Sequence, residues 1–194
     1  GGALGVRWRS NLAMMLANPT AGDTEVIARL GDQLNASHGP VAAHCCFMLA
    51  ELPLEIAADA NTARLELLGA DRRAPHSGGA ISLRELHASE VYAHCRTAAN
   101  PDFVASALPP YWLLAAYQLS DLGLLAQAAA YLQQVVGAVE AHGPAAFGPA
   151  FLAHANTLRQ LLKARGLDTA PPQQQQQHYA HHGNQWAAAE AEPG

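Results

Sequence analysis

The stretch Trp8-Arg9-Ser10-Asn11-Leu12-Ala13-Met14-Met15-Leu16-Ala17-Asn18-Pro19, with Leu30-Gly31-Asp32-Gln33-Leu34 and Gly39-Pro40-Val41-Ala42-Ala43-His44-Cys45-Cys46-Phe47-Met48-Leu49-Ala50 after it, decides the fold class. Trp8, Leu12, Met15 and Leu16 recur at helical spacing, and Asn18-Pro19 ends the run because a residue preceding proline is pushed out of the helical region. Asp23 is placed to cap a second helix that turns Val26 or Ile27, Leu30 and Leu34 inward. Residues 35–39 turn the chain, Pro40 suits a first helical position, and Val41, Cys45, Met48 and Leu49 supply a third inward stripe. Short helices joined by short links pack as antiparallel neighbours.

Working outward, the periodicity lapses over residues 51–80, except that residues 63–69 alternate briefly and read as a short extended segment. The Pro, Gly and His of residues 73–79 mark an exposed loop. Ser82-Leu83-Arg84-Glu85 has the capping-box spacing, and the helix it opens runs to about Cys95, burying Leu83, Leu86, Val91 and Cys95 or their neighbours. Pro109-Pro110 start a helix over residues 111–122 that is apolar nearly all round, which predicts a central, buried position, and Gly123 is its left-handed stop. Leu124, Ala128, Tyr131, Val135 and Val139 make the next stripe. Phe151, Ala155, Leu158 and Leu162 make the last, closed by Gly166. The expected body is all-α, about seven helices in an irregular antiparallel stack over residues 1–167. Residues 168–194, with Pro171-Pro172, the glutamines from Gln173 to Gln177 and a His- and Ala-rich end, read as a disordered tail. No period of about 20 to 50 residues repeats, so a regular repeat array is not indicated.

Composition narrows the function classes. Half of the residues are apolar and 14% are charged, which suits a helical body of this length. Eleven Lys and Arg against 16 Asp and Glu leave a net charge of -5, which lacks the basic footprint of a nucleic-acid binder. The three cysteines, Cys45, Cys46 and Cys95, have no framework spacing and point to a reducing, cytosolic setting. No apolar run reaches the roughly 18 residues of a membrane span, and no signal peptide opens the chain, so any membrane association is peripheral. The start at Gly1 reads as an internal piece of something longer.

Residue types that carry chemistry are present without the spacing that chemistry needs. His44, Cys46, His94 and Cys95 invite a zinc reading, yet adjacent helical residues diverge by about 100°, so each His-Cys step offers one well-placed ligand. Small cysteines packed beside ordinary histidines explain both pairs. His178, His181 and His182 lie in the biased tail. Glu85 and Glu90 read as a cap and a solvated position, Arg72-Arg73 as a solvated loop, and Tyr111-Trp112 as core. Trp8 fits either core or a partner anchor. There is no G-x-S-x-G, no phosphate-binding glycine loop and no H-E-x-x-H. No residue is assigned to catalysis, a cofactor or a metal, and the reading is non-enzymatic.

The Trp-x-x-x-Leu-Ala-x-x-Leu-x-Asn helix of residues 8–18, the Leu30-Gly31-Asp32-x-Leu34 step and Ala42-Ala43-His44-x-Cys46-x-x-Leu49-Ala50 together resemble the central conserved domain of the Sec-sixteen family. The likeness continues in Leu67-Leu68-Gly69, Glu90-Val91-Tyr92, Trp112-Leu113-Leu114-Ala115-x-Tyr117 and Leu122-Gly123-Leu124 with Ala128. It implies an ancestral coatomer element, an α-solenoid type of helical stack, of which residues 1–167 are the C-terminal portion. It also implies a scaffold that organises endoplasmic-reticulum exit sites and COPII vesicle coat assembly in ER-to-Golgi transport, peripheral on the cytosolic face of the endoplasmic reticulum. The partners implied are COPII coat subunits, Sec-thirteen, Sec-twenty-three and related proteins, with self-association. The Sec-thirteen propeller contact is made in the family by a strand upstream, and Gly1 to Val6 show none, so that contact is not carried over. Another coatomer-type coat or nuclear-pore component is the alternative, and a His/Cys metal protein a third.

Overall fold

The computed structural model describes residues 7–55, 64–71, 81–100, 103, 105, 107–167 and 169. Seven α-helices lie among the described residues: α1 (Trp8–Ala17), α2 (Asp23–Ser37), α3 (Pro40–Leu49), α4 (Leu83–Ala99), α5 (Leu108–Asp121), α6 (Leu125–His142) and α7 (Pro149–Ala164), with a 3-10 turn at Pro144–Ala146 before the last. No strand occurs among them. The chain divides into two compact units, residues 1–108 and 109–194.

In the first unit, α2 packs closely on α3, and α1 leans on α2. Trp8 and Leu12 of α1 and Ile27, Leu30 and Leu34 of α2 are buried, as their spacing predicts. Arg9 lays its guanidinium 4.5 Å over the Trp8 ring, so Trp8 is core roofed by a cation. Leu16 is 46% exposed, which trims the expected α1 stripe. Asp23 is the first residue of α2, and its carboxylate accepts from the Thr20 backbone N–H and hydroxyl. It ties the preceding turn and does not cap the helix.

Helix α3 is phased differently from its expected stripe. Ala43, His44, Cys46 and Phe47 face inward, whereas Val41 is 69% exposed and Leu49 42%. The helix ends in a Schellman arrangement in which Leu52 N–H reaches Phe47 O (3.0 Å) and Glu51 N–H reaches Met48 O (3.1 Å). The left-handed position there is Glu51, at φ +57°.

Residues 64–70 form bends and a turn where an extended segment was expected, and Ala63 lies outside the described residues. Among the described residues, this segment's pairing is one backbone bond, Glu55 N–H to Leu65 O (2.8 Å). Its leucines Leu65 and Leu67 are buried, so the brief alternation marks inward side chains on a loop. Helix α4 opens at the expected cap, where Ser82 Oγ accepts from Glu85 N–H at 3.4 Å. It runs one turn past Cys95 to Ala99 and buries Leu86, Ser89 and Ala93, leaving Val91 64% exposed.

In the second unit, α6 packs on the 3-10 turn and on α7. Ala128, Ala129, Leu132 and Val135 of α6 and Ala155, Leu158 and Leu162 of α7 are buried. Gly123 (φ +77°) ends α5 with Leu124 N–H on Leu119 O (2.8 Å), and Gly166 (φ +78°) ends α7 with Leu167 N–H on Leu162 O (3.1 Å). Both are the Schellman stops that the glycines predict, since the left-handed conformation is cheap only without a Cβ. Helix α5 buries Leu113, Ala115, Ala116 and Leu119 but leaves Leu114 42% exposed. The fully central α5 expected from its apolar sequence is therefore corrected to a helix with one apolar face open.

Candidate functional site

Buried polar residues are the first place to look for chemistry, and in the first unit they fasten the chain. His44, 4% exposed, accepts the Gly69 N–H at Nδ1 (2.9 Å). Ser89, fully buried, accepts the Leu68 N–H (2.7 Å) while donating to Glu85 O (2.8 Å). These two side chains, from α3 and α4, hold consecutive backbone amides of the Leu67-Leu68-Gly69 turn, which a loop buried without partners could not satisfy. Tyr92 donates to Leu52 O (3.4 Å) and Arg96 pairs with Glu51 (3.4 Å), so α4 also anchors the segment leaving α3. A cleft of about 290 Å³ opens beside this knot, among Val41, His44, Met48, Arg84 and Glu85.

The zinc candidates are not brought together. His94 and Cys95 are exposed on α4, and no group of three or more His, Cys, Asp or Glu able to hold a metal occurs among the described residues. Burial pushes the Cys46 thiol up to about 11, with a smaller contribution from Cys45. His44 uses one ring nitrogen on Gly69. Glu85 gives its backbone N–H to the Ser82 cap, and Glu90 is half-buried. Tyr111 and Trp112 are half-buried on α5, between the core and ligand-platform extremes. Arg72, Arg73, His178, His181 and His182 lie outside the described residues.

The second unit presents the feature that the sequence did not disclose, an open groove of about 510 Å³ between α5 and α7. Pro110, Leu113, Leu114, Tyr117, Phe151 and His154 line it. Its shape is set from within: the Tyr117 hydroxyl donates to His154 O (2.8 Å), and Phe147 stacks on Phe151 with centroids 5.0 Å apart and planes at 17°. Burial raises the Tyr117 phenol above its ordinary value, which favours the protonated hydroxyl that donates to His154 O. A largely apolar groove of this kind has the character of a protein-docking surface. An all-round apolar helix cannot reveal from sequence which of its leucines stays open, which is why Leu114 read as core.

Three comparisons place the chain among known proteins. The family model described as the Sec16 Sec23-binding domain matches residues 3–173. The "Protein transport protein SEC16B homolog" of Arabidopsis thaliana is 33% identical over 131 residues, which is 66% of this chain and 9% of that protein. "Protein transport protein Sec16B" of Oryctolagus cuniculus is 36% identical over 171 residues, 85% of this chain and 15% of that protein. "COPII coat assembly protein SEC16" of Phaeosphaeria nodorum is 30% identical over 138 residues, 70% of this chain and 8% of that protein. The chain therefore spans a small fraction of these relatives' length. No solved structure matches it.

Proposed function

The chain belongs to the Sec16 Sec23-binding domain family, and on that footing we propose that it is a non-enzymatic scaffold segment that binds Sec23 and serves COPII coat assembly at endoplasmic-reticulum exit sites. Residues 1–167 act as the C-terminal portion of the family's central helical domain. The observation that carries the reading is one of extent: the helices run from Trp8 to Ala164, and the family match covers residues 3–173. Helices packed side by side within each unit offer preformed surfaces, the form that assembly requires.

The side chains support the non-enzymatic part. His44 and Ser89, the buried polar residues best suited by type to catalysis, are both committed to backbone amides. A nucleophile with an adjacent base in an accessible pocket is the arrangement an active site would need. The setting proposed is the cytosolic face of the endoplasmic reticulum, held there by partners, since no helix among the described residues is long and apolar enough to cross a membrane. Expressing the tagged chain in cells tests the reading. Foci coincident with COPII coat markers are expected; an even cytosolic distribution beside a correctly localised family member would contradict it.

A further inference from the structure

We infer that the α5–α7 groove is the seat for Sec23, and that it takes an apolar segment of that partner carrying a carboxylate about 16 Å beyond its apolar anchor. The inference rests on the proposed function and deepens it by assigning the surface and the chemistry of the bound segment.

Its first support is the surface. Leu114 is 42% exposed at the groove wall, and Leu161, further along α7, is also 42% exposed. Leu114 stands open on the wall of a groove whose two helices hold each other through Tyr117 and His154, an apolar exposure of the sort that marks partner sites. Both walls lie within the stretch that matches the Sec23-binding family model.

The charge pattern selects the occupant. Among the described residues, no Asp, Glu, Lys or Arg lines the groove. At 100° per residue, Phe151, His154 and Leu161 fall on one side of α7, in line with its C-cap Arg165, so the groove is followed along the helix by an exposed leucine and then an exposed cation. His154 and Arg165 are separated along the helix by about 16 Å at about 1.5 Å per residue. An occupant that fills the groove with apolar side chains and runs along this side of α7 meets Arg165 with a carboxylate, which Arg binds in bidentate fashion. The cleft beside His44 is the contrasting case, smaller and rimmed by the opposed charges of Arg84 and Glu85.

Binding of purified Sec23 to the complete chain, to Leu114→Glu, to Arg165→Glu and to Val91→Glu decides the matter. Val91, 64% exposed on α4, is a surface control of the same kind in the other unit. Leu114→Glu should weaken Sec23 by about tenfold or more, as loss of a central anchor does. Arg165→Glu should weaken it several-fold, more at low than at high salt, and Val91→Glu should bind as the parent does. Circular-dichroism melting must show each variant folded; Leu114→Ser substitutes if the Glu variant is not. Sec23 binding to the parent with equal affinity for Leu114→Glu overturns the inference and leaves the proposed function standing. Loss of a self-associated species in Leu114→Glu with Sec23 binding unchanged also overturns it, because the groove then seats a second copy. No Sec23 binding by the parent contradicts the proposed function itself.

Discussion

Gly31 of α2 faces the ring of Phe47 of α3 so closely that a Cβ on Gly31 would stand 2.7 Å from Phe47 Cδ1. The missing side chain is what lets these two helices approach each other closely. Glycine costs a helix about 1 kcal/mol relative to alanine, so Gly31→Ala recovers that much locally. Forcing a methyl into a ring that is 1% exposed costs about 1–3 kcal/mol. The overpacking wins, and urea unfolding should show Gly31→Ala destabilised. Trimming the ring to a smaller side chain, Phe47→Leu, should recover part of the loss in the double variant; simple additivity would show that the two residues do not compete for space.

Ser89→Ala should destabilise by about 1–3 kcal/mol, because the Leu68 N–H loses its buried acceptor. His44→Ala should cost a similar amount, about 1–3 kcal/mol, through Gly69 N–H, plus lost packing. Since both side chains hold the same turn, the double variant should fall short of the sum. A double-mutant cycle by chemical denaturation reads the coupling, and strict additivity would mean the turn is held at independent points.

Charge placed on α5 and on α6 should have unequal consequences. Leu132 is fully buried, and Leu132→Asp costs several kcal/mol, roughly enough to unfold its unit. Leu114→Asp should cost far less, about 1 kcal/mol from helix propensity and partial burial, since 42% of the residue is open to water. Thermal melting distinguishes them directly.

Much of the fold was legible wherever polar residues set the phase of a helix. In α2, Asp23, Glu25, Arg29, Asp32 and Gln33 leave one face for Ile27, Leu30 and Leu34, and that face is the buried one. Helix α3 has no such guide: His44 is its strongest polar signal, and it points inward because Gly69 supplies a donor. With the polar marker buried, Val41 and Leu49 looked like core and came out exposed. Ser89 was hidden for the same reason, since its burial is justified by a tertiary partner, Leu68, more than twenty residues away in sequence. The family was legible from ordered motifs. The groove was not, because Leu114 and Phe151 are ordinary core residues until the packing of α5 against α7 leaves them open.

Alkaline pH should weaken the first unit through Cys46. Burial favours the neutral thiol and raises the folded pKa to about 11 from an ordinary value of 9.0. The stabilisation is therefore complete below pH 9 and is lost as pH rises from about 9 through about 11, where the unfolded chain has released a proton that the folded chain retains. The loss should be on the order of 2 kcal/mol. Unfolding measured at pH 8, 9 and 10 should show the decline in the parent, with a shallower slope in Cys46→Val. Alkylation of native protein should label exposed Cys95 first and Cys46 only on unfolding.

The affinity of the purified chain for purified Sec23, measured in solution by titration calorimetry, tests the central claim most directly. Saturable, stoichiometric binding by the parent protein, retained in the folded Val91→Glu variant, is the result expected of a folded coat-assembly segment. A well-folded chain that gives no binding heat and no complex by sedimentation, while an established family member binds the same Sec23, would contradict it.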